Sequence, residues 1–318
     1  MSPTPLAPAS RTALIVAFAT IYLVWGSTYL AIRVAVETIP PFLMAGVRFT
    51  VAGTLLLTFL RWRGNPWPTA RQWGINAIIG TFLLLGGNGL VVWAEQTIPS
   101  GITALLIGVG PLFIVLTEWA WPGGQRPGVM TFLALLIGFA GVTWLAAPWE
   151  DAGQGGFNPA GMIAILVACC SWGIGSIYSR HAHHGANAFI ASAQQMLGGG
   201  AALLLVAALH GDFHTFDYAH VSAASLRAFF YLIGMGSLVG FSTFVWLMKH
   251  AAPARVATYA YVNPIVAVFL GWLLLDEPIG PRTLGASAVI VTAVAMITMQ
   301  QGKASASVPP AVERKPAT

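Results

Sequence analysis

Residues 12–32 read Thr12-Ala13-Leu14-Ile15-Val16-Ala17-Phe18-Ala19-Thr20-Ile21-Tyr22-Leu23-Val24-Trp25-Gly26-Ser27-Thr28-Tyr29-Leu30-Ala31-Ile32, an uncharged run closed by Arg33. A helix crosses the hydrocarbon core of a bilayer with about 20 mainly apolar residues, so this stretch alone has the length and chemistry of a span. Nine more runs of the same kind follow, at 41–61, 73–94, 101–120, 129–147, 158–179, 189–209, 225–248, 255–275 and 282–300. They are too long, too continuous and too rich in Leu and Ala for the alternating strands of a membrane barrel. Composition agrees. The 318 residues are 57% hydrophobic and 8% charged, against about 25% charged in soluble domains. So little charge cannot cover a water-facing surface, and an all-α membrane protein of ten transmembrane helices is the predicted fold.

The net charge of +5 does not point to nucleic acid, because the basic residues are scattered singly rather than gathered into a patch. Their distribution bears on topology instead. With the N-terminus in the cytoplasm, the cytoplasmic pieces hold Arg11, Arg61, Arg63, Arg71, Arg126, Arg180, Lys249, Arg255, Lys303, Arg314 and Lys315, and the opposite loops hold only Arg33, Arg227 and Arg282. The positive-inside bias then places both termini in the cytoplasm. Residues 1–11 form the N-terminal tail, 12–32 a retained first helix rather than a signal peptide, and 301–318 a disordered cytoplasmic tail. Cys169 and Cys170 are adjacent inside an apolar run, where they frame neither a disulfide scaffold nor a metal site, and read as packing.

The chain repeats itself. Trp25-Gly26-Ser27-Thr28-Tyr29 with its closing Arg33 is echoed by Trp172-Gly173-Ile174-Gly175-Ser176-Ile177-Tyr178 with Arg180. Gly110-Pro111-Leu112 in the fourth run is matched by Asn263-Pro264-Ile265 in the ninth, the same ordinal place in a five-helix half. Five is odd, so a second half of five spans starts on the opposite side of the membrane and runs inverted. Inverted repeats give a protein two near-equivalent states, open to one face or the other, which is a transporter's requirement. The two repeats are expected at 12–147 and 158–300.

No nucleotide-binding loop of the Gly-x4-Gly-Lys-Ser/Thr type occurs, and the Gly-rich pieces at 86–89 and 236–240 lie within apolar runs, where close helix packing is the simpler reading. Asn88 stands apart there, since an amide in mid-membrane must find a partner or line a wet cavity. Pro111 and Pro264 each remove a backbone donor inside a helix, leaving either a passive kink or carbonyls free to face a cavity. Arg48 lies about two turns inside the second run and needs an acid, carbonyls or water. Glu95, at the end of the third run, is its expected partner in an intramembrane charge pair. Trp62, Trp67, Trp73, Trp121 and Trp149 read as interfacial anchors, while Trp25, Tyr29, Trp172, Tyr178, Tyr259 and Tyr261 lie within spans and suit an apolar or amphipathic organic solute. His210, His214 and His220, with Asp212 and Asp217, have weak metal-ligand spacing and read as solvated loop residues. No metal and no cofactor is expected.

Trp25-Gly26-Ser27-Thr28-Tyr29, Ala45-Gly46-Val47-Arg48-Phe49, Pro99-Ser100-Gly101 and Pro111-Leu112-Phe113 resemble the EamA family of the drug/metabolite transporter superfamily. So does Ala257-Thr258-Tyr259-Ala260-Tyr261-Val262-Asn263-Pro264, followed by Asp276-Glu277-Pro278. The likeness runs over residues 12–300 and extends to the YedA-type exporters of bacterial inner membranes. It implies two inverted five-helix repeats around a central cavity lined by the first, third, fourth, sixth, eighth and ninth segments. On this sequence that places Trp25, Thr28, Asn88, Pro111, Trp172, Ser176, Phe244, Tyr261, Asn263 and Pro264 along the substrate pathway. The implied partners are a small organic substrate (amino acid, metabolite or drug) and the bilayer, and a monomer is compatible with the sequence. One departure is visible: the acid of Asp276-Glu277-Pro278 has no counterpart at Gly123-Gly124-Gln125 in the first half. A different class, an intramembrane enzyme acting on a lipid-linked substrate, would have only the His/Asp loop for its chemistry.

Overall fold

The computed structural model describes residues 10–306 except 125, 127, 147–157, 183–186, 252–255 and 257. The described residues contain helices and no strand. In chain order these are α1 (Arg11–Ala35), α2 (Pro41–Trp62), α3 (Ala70–Ala94), α4 (Ser100–Ala120), α5 (Val129–Ala146), α6 (Pro159–His181) and α7 (Ala188–His210). After a short helical turn at Asp212–Thr215 and a 3-10 turn at Tyr218–His220 comes α8, running as Ala223–Tyr231, Leu232–Phe241 and Ser242–His250, then α9 (Tyr259–Leu275) and α10 (Pro281–Ala306). Seven of them, α1 to α4 and α6 to α8, are long and apolar enough to cross a membrane, and Val262–Leu275 of α9 is a shorter apolar stretch. Helix α10 continues six residues past position 300, where the sequence-based tail begins; residues 1–9 and 307–318 lie outside the described residues.

Helix starts follow local chemistry. Ser10 accepts from the Ala13 amide at 3.1 Å ahead of α1, and Thr69 and Gln72 form a reciprocal capping box at the start of α3. Proline occupies the first turn of α2, α6 and α10, where its missing N–H costs no helical bond. Asn158 and Asn187 cap α6 and α7 through their side-chain oxygens.

Three irregularities interrupt the helices at mid-length. The backbone winds wider, as a π-helix, over Thr81–Gly89 in α3 and over Leu232–Phe241 in α8. Such windings are rare and concentrate at functional sites. Helix α4 is broken at Gly108 and Val109, so Pro111 sits in the first turn of the segment Gly110–Ala120 rather than inside a continuous helix. The two prolines therefore differ: Pro264 lies within α9 proper, and the break in α4 comes before its proline.

The helices pack in exchanged pairs. Helix α1 contacts α8 and α9, and α6 contacts α3 and α4; α3 packs on α7 as α8 packs on α2; α2 pairs with α7 and α5 with α10. Advancing every label by five positions around the set maps this list onto itself. Glycine makes the two diagonal contacts close. A Cβ at Gly26 would fall 2.6 Å from Val266 Cβ on α9, and one at Gly173 would fall 3.0 Å from the Phe113 backbone on α4. Three buried apolar clusters result among the described residues: one shared by α1, α2, α3, α7 and α8, one shared by the end of α3 with α4, α5, α6, α9 and α10, and a small one of Ala17, Ile21, Leu247 and Val256. Between α3 and α7 the buried Asn76 amide donates to the Gln194 side-chain oxygen at 3.0 Å and accepts from Gln195 at 3.1 Å, while the Gln194 Nε2 has no partner among the described residues.

Candidate functional site

A cavity of about 150 Å³ opens where the irregular stretches meet, lined from α1, α2, α3, α4, α6, α8 and α9. From α1 come Trp25, Thr28, Tyr29 and Ile32, and from the π-helical part of α3 come Leu84, Gly87 and Asn88. Helix α4 contributes its break and Pro111, α6 contributes Cys169 and Trp172, and α9 contributes Tyr259, Ala260, Asn263 and Pro264. The wide turns of the backbone are tied down by neighbouring helices. The Trp25 indole donates to the Gly236 carbonyl in the π stretch of α8 at 3.4 Å, and the Ser171 hydroxyl donates to the Phe82 carbonyl in that of α3 at 2.8 Å. In both places a side chain from the Trp-Gly turn of one half of the chain meets a carbonyl in the π stretch of the other.

The wall is aromatic. The Trp25 and Tyr259 rings meet edge-on at 5.1 Å, and Phe244 lies against both, 5.0 Å from Trp25 and 6.0 Å from Tyr259. Phe244 thus backs the wall and is not itself a lining residue. Ser176 also lies off the lining, and the Tyr261 side chain lies outside the described residues. Asn263 is buried; with its amide turned to donate, it reaches the carbonyls of Tyr259 at 3.3 Å and Tyr22 at 3.2 Å, so it ties α9 to α1 as well as lining the cavity. The Asn88 side-chain oxygen is buried with no hydrogen-bond partner among the described residues. Cys169, read from sequence as packing, faces this space at 2% exposure.

Arg48 reaches the cavity from α2, a helix outside the set that the family likeness implied. Its Nε donates to the Ser237 hydroxyl on α8 at 2.9 Å, and its guanidinium carbon lies 4.7 Å from the Phe49 ring centre. Glu95 follows the last residue of α3 and is fully buried, with both carboxylate oxygens unpartnered; its backbone carbonyl accepts from the Arg33 guanidinium. Among the described residues no ion pair within 4.0 Å joins Arg48 to Glu95.

The acid of the Asp276-Glu277-Pro278 string, quoted from the sequence without a partner, finds one in the structure. Glu277, in the loop after α9, accepts from the Ser100 amide at 2.8 Å, the Ser100 hydroxyl at 2.9 Å and the Gly101 amide at 3.1 Å. It therefore caps α4 from the opposite half of the chain, joining two strings, Pro99-Ser100-Gly101 and Asp276-Glu277-Pro278, that are 177 positions apart. Its neighbour Asp276 ends α9 in a left-handed conformation, φ 52°, which aspartate tolerates better than most residues. The loop histidines pair locally, His210 with Asp212 and His220 with Asp217, both at 2.6 Å. Among the described residues no three His, Cys, Asp or Glu side chains converge on a metal position.

Long apolar helices around a partly polar cavity define the class: a multi-pass helical membrane protein with an internal cavity. The chain belongs to the EamA-like transporter family, whose model matches residues 12–147 and again 159–299. It is 38% identical over 280 residues to an Escherichia coli K12 protein named as an uncharacterized inner membrane transporter, YedA, covering 88% of each chain. It is 25% identical to a Bacillus subtilis protein named as an uncharacterized transporter, YvbV, covering 91% of this chain and 92% of that one. A solved crystal structure superposes with a TM-score of 0.62 over 93% of this chain and 99% of its own, at 22% identity, a likeness of fold alone.

Proposed function

We propose that this chain is a secondary transporter of the inner (plasma) membrane that exports a small organic solute by alternating access. It would have ten spans arranged as two inverted five-helix repeats, 12–147 and 158–300, with both termini in the cytoplasm. The observation that carries the reading is the cavity itself. It lies at mid-helix, it is enclosed by elements of both halves, and its walls are the places where regular helix gives way: the π stretches of α3 and α8, the break in α4 and Pro264 in α9. Irregular backbone at membrane depth is tolerated where it lines a cavity. The exchanged helix pairing and the double match of the family model support a duplicated architecture. Two arrangements of similar energy are what such an architecture makes available, one for each face of the membrane.

In this reading Trp25, Thr28, Asn88, Pro111, Trp172, Asn263 and Pro264 bound the solute's path, and Phe244 holds the Trp25 and Tyr259 rings in place. The purified protein in liposomes tests it, using amino acids, organic acids and organic amines as probes, with and without a pH gradient. Saturable movement of one group of probes, accelerated by the same solute on the far side, is the expected result. Uptake no faster than in empty liposomes for every probe would end the proposal.

A further inference from the structure

Among the described lining residues Arg48 is the one charged side chain, and no acid lies within ion-pair distance of it. It is 4% exposed. Ser237 takes up Nε, but Nη1 is buried with no hydrogen-bond partner, and no carboxylate lies within 4.0 Å among the described residues. The charged and titratable groups nearby are few. Glu95 is the acid that acts on it, and Glu95 is itself set among Arg33, Glu277 and Tyr29. A buried guanidinium without an anion is costly, so a protein that keeps one at its cavity wall gains when an anion arrives there. Guanidinium offers parallel N–H donors whose spacing matches the two oxygens of a carboxylate. The Ser237 bond holds the guanidinium at its Nε.

The rest of the cavity sets the partner's other end. Trp25 and Tyr259 form an aromatic corner, and the volume of about 150 Å³ falls below the roughly 300–1,000 Å³ of pockets that take drug-sized ligands. We propose that Arg48 is the carboxylate anchor of this cavity, and that the transported solute is a small organic acid or amino acid with its apolar part on the Trp25–Tyr259 wall. The inference rests on the transport reading and narrows it: organic cations are excluded by the same guanidinium that holds the acid.

The test uses matched probes of one carbon skeleton in the full-length protein: leucine, 4-methylpentanoate and 3-methylbutylamine, with further acid and amine pairs of larger and smaller size. Binding is read as a rise in melting temperature in detergent, and transport as uptake into proteoliposomes. The acids should bind and move while the amines do neither. Arg48→Gln should raise the half-saturation concentration for the acids by about tenfold or more, Arg48→Lys should do so less, and Ser237→Ala should give a smaller rise by freeing the fork. Melting of the unliganded variants reports folding separately, and should Arg48→Gln fail to fold, the Lys and Ser237→Ala variants carry the comparison. Amines moving as well as acids, or acids handled equally by the wild type and the Arg48 variants, would overturn the anchor and leave transport standing. Silence from every probe in both assays would remove the transport reading and the anchor with it.

Discussion

At the scale of single residues, the carboxylate of Glu277 illustrates how one side chain can hold two distant parts of a membrane protein together. The first amides of α4 have no helical acceptor, and Pro99 ahead of them offers no side-chain cap. Glu277 supplies two oxygens to three donors, and a charged acceptor at a helix N-terminus gains from the helix dipole as well. Glu277→Gln puts amide hydrogens against amide donors on one side of that cluster. It should cost about 1–2 kcal/mol, the usual range for losing a good cap, and lower the melting temperature of the detergent-purified protein. Ser100→Ala keeps both backbone bonds and should cost less. Equal melting of wild type and Glu277→Gln would mean that the contact contributes nothing to holding α9 on α4. Neither string announces this partnership in the sequence, because a bond across 177 positions leaves no local pattern.

At the scale of elements, the two Trp-Gly turns are the joints of the molecule. Gly26 brings α1 against Val266 on α9, and Gly173 brings α6 against the backbone of Phe113 on α4. The two contacts differ in what a methyl group would strike, a side chain in one and main chain in the other. Gly26→Ala should destabilise by about 1–3 kcal/mol, as overpacking does, and Val266→Gly in the same chain, which removes both the Cβ and the Cγ1 that the new methyl would strike, should recover part of the loss. Gly173→Ala should be destabilising with no single side-chain substitution to relieve it. Thermal melting of the single and double variants decides this; additive losses in the Gly26/Val266 pair would contradict the close approach. The Trp-Gly and Pro positions were legible in the sequence because each is a local departure from an apolar helix. The π stretches were not: Gly86-Gly87-Asn88-Gly89 reads as close packing, which the approaches of Gly86 to Ser171 and of Gly89 to Leu203 agree with, and nothing local in the sequence marks the wider winding. The expected kink at Pro111 was close in place and different in kind, since the helix breaks at Gly108 and Val109 before the proline is reached.

At the scale of the whole molecule, hydrophobic length made the membrane fold readable, because a run of about 20 apolar residues has few other uses. The cavity was readable only in outline. Which side of a helix faces inward depends on its neighbours, so Phe244 proved to stand behind the wall and Arg48 and Cys169 to stand on it. Cys169 offers the most direct measurement of the central claim, that this cavity communicates with one face of the membrane and then the other. With Cys170→Ala leaving a single thiol, a small membrane-impermeant thiol reagent is applied to right-side-out and to inside-out vesicles. Alternating access predicts that Cys169 is modified from both faces and that a transported solute slows modification from each. Modification from one face alone, or from neither, unchanged by any solute that the protein moves, would contradict it.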